Sequence, residues 1–202
     1  TLCSLKKGEA MMIDMDMRFS NEEIELLCGV KGSTLEAIGY VPITSGLAFG
    51  RVRLYFGGGA VDIVSSMHDI DYSGDGEVDD DDAFLSVEQG LGSVAALSEL
   101  SGEEMRVECG KVVKRVLVAQ DSVDSYEDGK LTFKTAYPQA VLFDFGDQMM
   151  SIDKQACNWM MLTVKFGKSV DELVYDSEKG WEVNAEGSPE MRNEFKREIL
   201  EL

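Results

Sequence analysis

Apolar Met11, Ile13, Met15, Met17 and Phe19 alternate with Met12, Asp14, Asp16 and Arg18, the period of a strand with one buried face. Ser20 or Asn21 then caps a short helix, Glu22 to Leu27, whose first turn holds the acids that a helix dipole favours. Ser33 is placed to cap another short helix ending near Gly39, Pro42 interrupts, and Leu47 to Phe56 reads as a second strand. Gly57-Gly58-Gly59 breaks the chain. Beyond it, Ile63, Val64, Met67 and Ile70 recur at helical spacing, and Phe84, Val87 and Leu91 do the same, so helices are expected over 60–70 and 80–91. Ser93 to Leu100 continues as helix. The C-terminal half predicts short strands at 112–118, 130–135, 139–145, 149–153 and 159–166, separated by turn signals such as Glu127-Asp128-Gly129 and Gly146-Asp147. Such spacing argues for an antiparallel meander. A short helix is expected over 170–175. Ser188 as N-cap and Pro189 at the first helical position predict a last helix from Glu190 to Leu202. The expected fold class is therefore α+β: an antiparallel sheet mainly in the C-terminal half, several short helices, a helix–loop–helix insertion at 60–91 and a C-terminal helix. One domain over 1–202 is expected, with a split near residue 100 as the fallback.

Charge changes this picture more than composition does. The 202 residues are 44% hydrophobic, enough for a buried core, yet the formal net charge is −19. Eight acids (Asp69, Asp71, Asp75, Glu77, Asp79, Asp80, Asp81, Asp82) fall within fourteen positions, and the remainder still carries about −11. A surface of this sign repels nucleic-acid phosphates and anionic lipid, and attracts cations and basic proteins. Cys3, Cys28, Cys109 and Cys157 are far apart and form no C-x-x-C pair, which argues against a zinc ribbon or redox motif. No stretch reaches the roughly 18–20 apolar residues of a membrane span. A cytoplasmic protein is expected, or a secreted one if a leader has been removed.

The acidic segment Asp71-Tyr72-Ser73-Gly74-Asp75-Gly76-Glu77-Val78-Asp79-Asp80-Asp81-Asp82 has the chemistry of a Ca²⁺ loop. Ca²⁺ takes six to eight oxygens, and a twelve-residue loop supplies them from positions 1, 3, 5, 7, 9 and 12. Those positions hold Asp71, Ser73, Asp75, Glu77 through its carbonyl, Asp79 and Asp82. Gly76 stands where the loop must turn sharply, and Val78 where it anchors to a core. The segment resembles an EF-hand loop. Asp82 in place of the usual bidentate Glu is similar to the dockerin variant, and a shorter carboxylate implies weaker Ca²⁺ affinity or more tolerance of Mg²⁺. The resemblance covers residues 60–91. A strand at Val61-Asp62-Ile63 would give instead an isolated Ca²⁺ loop. A second candidate, Asp124 to Thr135, offers poor ligands at Tyr126 and Thr135 and reads as a hairpin turn.

Other constellations do not assemble. Val141-Leu142-Phe143-Asp144-Phe145-Gly146-Asp147 resembles the nucleophile strand of haloacid-dehalogenase-type phosphatases, but it lies too late in the chain for that fold. His68 is the one histidine, so histidine triads and multi-histidine metal centres depend on it alone. The leading expectation is a non-enzymatic acidic Ca²⁺-binding protein, structural or regulatory. The alternative is an acidic protein-binding module, of immunity-protein or inhibitor type, that recognises a basic partner.

Overall fold

The computed structural model describes residues 12–44, 46–71, 77, 80–94, 102–155, 160–181 and 191–202. Its architecture is predominantly β, not α+β with several helices: one eleven-stranded sheet, almost wholly antiparallel. The strands are β1 (Ile13–Asp16), β2 (Thr34–Thr44), β3 (Leu47–Phe56), β4 (Gly59–Ile70), β5 (Asp80–Gln89), β6 (Met105–Val112), β7 (Arg115–Glu127), β8 (Lys130–Asp144), β9 (Met149–Lys154), β10 (Met161–Gly167) and β11 (Arg192–Glu201). Among the described residues they are accompanied by α1 (Asn21–Gly29) and the single turn α2 (Val170–Leu173), with a 3₁₀ turn at Glu178–Trp181.

Where a pattern has one buried face, the expected element is present. Ser20 caps α1 in a reciprocal box: its hydroxyl accepts the Glu23 N–H at 3.3 Å, and the Glu23 carboxylate accepts the Ser20 N–H at 2.8 Å. β3 and β9 fall where the alternation placed strands. The Glu127-Asp128-Gly129 turn joins β7 to β8, with Asp128 and Gly129 at φ 50° and 74°, the mirror-image turn that suits a two-residue hairpin.

Four expected helices are strands. The helix after Ser33 is β2. The helices over 60–70 and 80–91 are β4 and β5, so the helix–loop–helix insertion does not form: the acidic segment joins two antiparallel strands paired from Val61↔Gln89 to Ile70↔Asp80. The C-terminal helix is β11, paired to β7 over ten consecutive positions. The cause is the same in β4 and β5. Both are buried on both faces (Ala60–Ser65 and Asp82–Leu85), and apolar residues on both faces blur the two-residue period of a strand. The β-branched Val61, Ile63 and Val64 suit a pleated surface better than a helix. The expected helix over 93–100 and the cap at 188–190 fall largely on residues outside the described ones.

Two long strands change partners along one edge, and this bends the sheet. β2 covers one edge of β3; the other pairs β10 at Leu47–Phe49 and β4 at Arg51–Phe56. Gly50, at φ +70°, stands at the changeover, where a glycine tolerates the kink. β7 covers one edge of β8; the other pairs β1 in parallel at Phe133–Ala136 and β9 at Ala140–Asp144. Pro138 stands between those stretches and cannot donate to a ladder.

The main core gathers Leu27 of α1 with Ile38, Leu54, Ile63, Leu85, Val118, Phe143 and Ile152 from β2, β3, β4, β5, β7, β8 and β9. β7 at Val116–Ala119 and β8 at Tyr137–Asp144 are buried on both sides. Their other face (Leu117, Ala119, Ala140, Leu142) lies under Leu173 and Val174, which follow β10. No helix among the described residues is long and apolar enough to cross a membrane.

Candidate functional site

The β4–β5 hairpin gathers the acids. Its register sets Asp69 opposite Asp81 and His68 opposite Asp82, with Ile70 and Asp80 as the last pair before the connection. Asp69 and Asp81 are both exposed, and like charges directly opposite on one sheet face repel. Asp71, just past β4, is half-buried and Glu77 is exposed; Asp82 is buried within β5. Ser73, Asp75 and Asp79 lie outside the described residues. Among the described residues, no three His, Cys, Asp or Glu side chains converge closely enough to hold a metal. Of the six expected ligands, the three described ones are thus divided between the end of β4 (Asp71), the connection (Glu77) and a buried position in β5 (Asp82).

The inner end of the hairpin is held by an aromatic and cationic stack. His68 packs edge-on against Phe84 (5.6 Å between centroids, 69°), and Phe84 does the same against Tyr137 of β8 (6.0 Å, 66°). Ser66 Oγ lies 3.2 Å from His68 Nε2. Lys154, only 1% exposed, places its ammonium 4.4 Å from the Tyr137 ring and 5.3 Å from the Phe84 ring, and donates to the Ala83 carbonyl at 2.6 Å. Four residues along the same strand edge, the Glu23 carboxylate of α1 accepts the Val87 N–H at 2.8 Å. Side chains therefore occupy the edge of β5 that β4 leaves free, which blocks strand addition there.

A second polar cluster fastens residues 170–181 to the outer face of β7, β8 and β9. Asp153, with no side-chain exposure, accepts from Gln139 Nε2 at 2.9 Å, the Tyr175 N–H at 3.0 Å and Lys165 Nζ at 3.4 Å. Burial pushes its carboxyl up to about 6, against the opposing pull of those donors. Asp121, also buried, accepts from Nε and Nη2 of Arg197 at 2.6 and 2.7 Å and from the Ser177 hydroxyl. Arg197 reaches on to the Tyr175 carbonyl at 2.9 Å. Trp181 Nε1 donates to the Tyr137 hydroxyl at 3.0 Å. These groups are consumed in holding chain to chain.

No known family model, curated protein or solved structure matches this chain. The function must be argued from its own side chains.

Two surface cavities among the described residues lie apart from both clusters. One, of about 480 Å³, is floored by Phe19, Ile24, Val118 and Leu200, with Gln120 beside them. Its two ionisable residues, Asp16 and Arg18, neutralise each other at 2.7 Å, and the guanidinium holds Asp16 below the usual carboxylate range. The other, of about 280 Å³, lies between α1 and the β3–β4 turn, with Glu25 its sole ionisable residue. Neither offers a paired acid and base. Sequence reasoning found the acids of the hairpin but missed Lys154 and the Asp69–Asp81 pairing. A lysine at a strand end carries no mark of burial, and a cross-strand pair exists only once the register is known.

Proposed function

We propose that this protein is a non-enzymatic, acidic, divalent-cation-binding protein whose β4–β5 hairpin takes Ca²⁺, or Mg²⁺ more weakly, in an isolated loop rather than an EF-hand. The observation that carries this reading is the register that sets exposed Asp69 against exposed Asp81. Two carboxylates set opposite each other on one sheet face favour a cation beside them. The connection they flank supplies the oxygens of Asp71, Ser73, Asp75, Glu77 and Asp79, with Asp82 behind them in the chain, the hard-ligand set that Ca²⁺ prefers.

Calorimetric titration of chelator-treated protein with Ca²⁺ and Mg²⁺ tests this, with Asp71→Ala/Asp75→Ala and Asp69→Asn/Asp81→Asn alongside. One saturable Ca²⁺ site, lost in the first variant and weakened in the second, is the expected result. No binding at millimolar Ca²⁺ overturns it. That outcome promotes the second reading, a module that recognises a basic protein, which the charge of about −11 remaining outside the eight acids of 69–82 supports.

A further inference from the structure

β11 is an end strand of the sheet. It pairs β7 from Arg192↔Tyr126 to Glu201↔Leu117 without a bulge, and among the described residues no strand lies on its other side. Most natural edges of this length are shortened, kinked, interrupted by proline or covered. This one runs ten residues with no register shift.

Its orientation follows from one hydrogen bond. The Leu202 N–H donates to the Val116 carbonyl at 3.0 Å, so even-numbered backbone groups face β7. By the two-residue period of a strand, those of Asn193, Phe195, Arg197 and Ile199 face outward. The side chains of the even positions form one row: Arg192, Glu194, Lys196 and Glu198 alternate in sign, and all four are exposed. That row is antisymmetric about Phe195. Turned through a half-rotation at Phe195, Arg192 of one copy meets Glu198 of the other, and Glu194 meets Lys196. Met191 meets Ile199, two of the exposed large apolar side chains (48% and 42%).

The backbone agrees with the side chains. Phe195 has its N–H and C=O directed outward, so two copies exchange both bonds there. The charged residues then fall at the non-hydrogen-bonded pairs, where Cβ atoms come closest and opposite charges act most strongly.

We propose that the protein forms a symmetric dimer in which the β11 edges of two copies pair antiparallel about Phe195, continuing one sheet into the other. Such a two-fold contact uses the same patch on both subunits. The net charge of −19 on each copy opposes association, but the Debye length of about 8 Å at physiological salt screens the distant charges more than the facing ones.

Sedimentation velocity of the full chain at physiological salt, from about 5 to about 500 μM, tests the proposal. The wild-type mass should rise with concentration from 22.3 kDa towards twice that value. Glu194→Lys and Lys196→Glu each replace two attractive contacts by two repulsive ones in the symmetric pair. Each should weaken dimerisation on the order of tenfold to a hundredfold. Because the repulsive faces of the two variants complement one another, an equimolar mixture should associate again, and the double variant Glu194→Lys/Lys196→Glu should return close to wild type. Both side chains are exposed, so folding is not at stake. A wild-type protein monomeric throughout the range overturns the proposal, as does a dimer indifferent to both reversals or a double variant no stronger than the single ones.

Discussion

Replacing Asp153 by Asn should change how stability depends on pH, in a direction that its surroundings determine. Asp153 is enclosed by Gln139, the Tyr175 backbone and Lys165, with its carboxyl raised by burial from 3.8 to about 6. A raised carboxyl means that the folded protein binds this proton more tightly than the unfolded chain does. The group therefore favours folding most when protonated, and its contribution falls as pH rises from about 4 through about 6. Complete titration of a shift of this size corresponds to about 3 kcal/mol. Between pH 5.0 and 7.5, a window that avoids poor solubility near the isoelectric point, linkage gives a loss of about 1.4 kcal/mol. The variant Asp153→Asn cannot titrate and keeps the shape of the side chain. Its stability relative to wild type should therefore rise by about that amount across the window, whatever constant offset the altered hydrogen bonds add. Urea unfolding followed by tryptophan fluorescence measures both proteins at each pH, and every other carboxylate cancels in the difference. Parallel curves would show that Asp153 does not titrate in this range. A difference of opposite sign would show that Lys165 holds it ionised and that burial is not the dominant cause.

Two further substitutions test buried charges elsewhere in the sheet. Arg53 holds Asp62 through two bonds of 2.6 and 2.7 Å and also binds the Leu91 and Gly92 carbonyls. Arg53→Met leaves a fully buried carboxylate with only Arg51 to answer it, and should cost about 3–5 kcal/mol in urea unfolding; a loss below about 1 kcal/mol would mean that Arg51 alone suffices. Lys154→Ala removes the donor to Ala83 and empties the space against Tyr137 and Phe84. A loss of about 2–4 kcal/mol is expected, with faster amide exchange along β5 than along β7 as the sign that the effect begins at the uncapped edge. Equal exchange in both strands would locate the role of Lys154 elsewhere.

The sequence was legible where burial is one-sided. Alternation around Ile13–Asp16 and Leu47–Phe56, the Ser20–Glu23 box and the Asp128-Gly129 turn each report a local constraint, and each lies where it was expected. It is illegible where a strand is covered on both faces, because the apolar residues of Val61–Val64 and Ala83–Leu85 do not alternate and Asp62 is buried among them. β11 failed for another reason. Ser188 and Pro189 suggest a helix start, and ten pairings with β7 outweigh so local a signal. The alternation of charge from Arg192 to Glu198 was the better signal. At the candidate site, the acids were visible as composition. Their arrangement was not, since Asp69 meets Asp81 only through a register that Ile63, Leu85 and Val87 fix from the core.

The shared edge of β3 has a consequence for the order in which the chain acquires its structure. β4 follows β3 across the short Gly57–Gly59 turn and can zip onto Arg51–Phe56 at once, as a local hairpin. Leu47–Phe49 must wait for β10, whose Met161 lies 112 positions beyond its partner Phe49. Contacts of such separation form late, because the chain must close a long loop before it gains anything from them. During that interval the lower half of β3 presents unpaired backbone to any strand that reaches it first. Refolding should therefore be slow for a protein of this size. Its yield should fall with concentration, and should recover when Leu47–Phe49 is occupied by an added peptide with the sequence of β10.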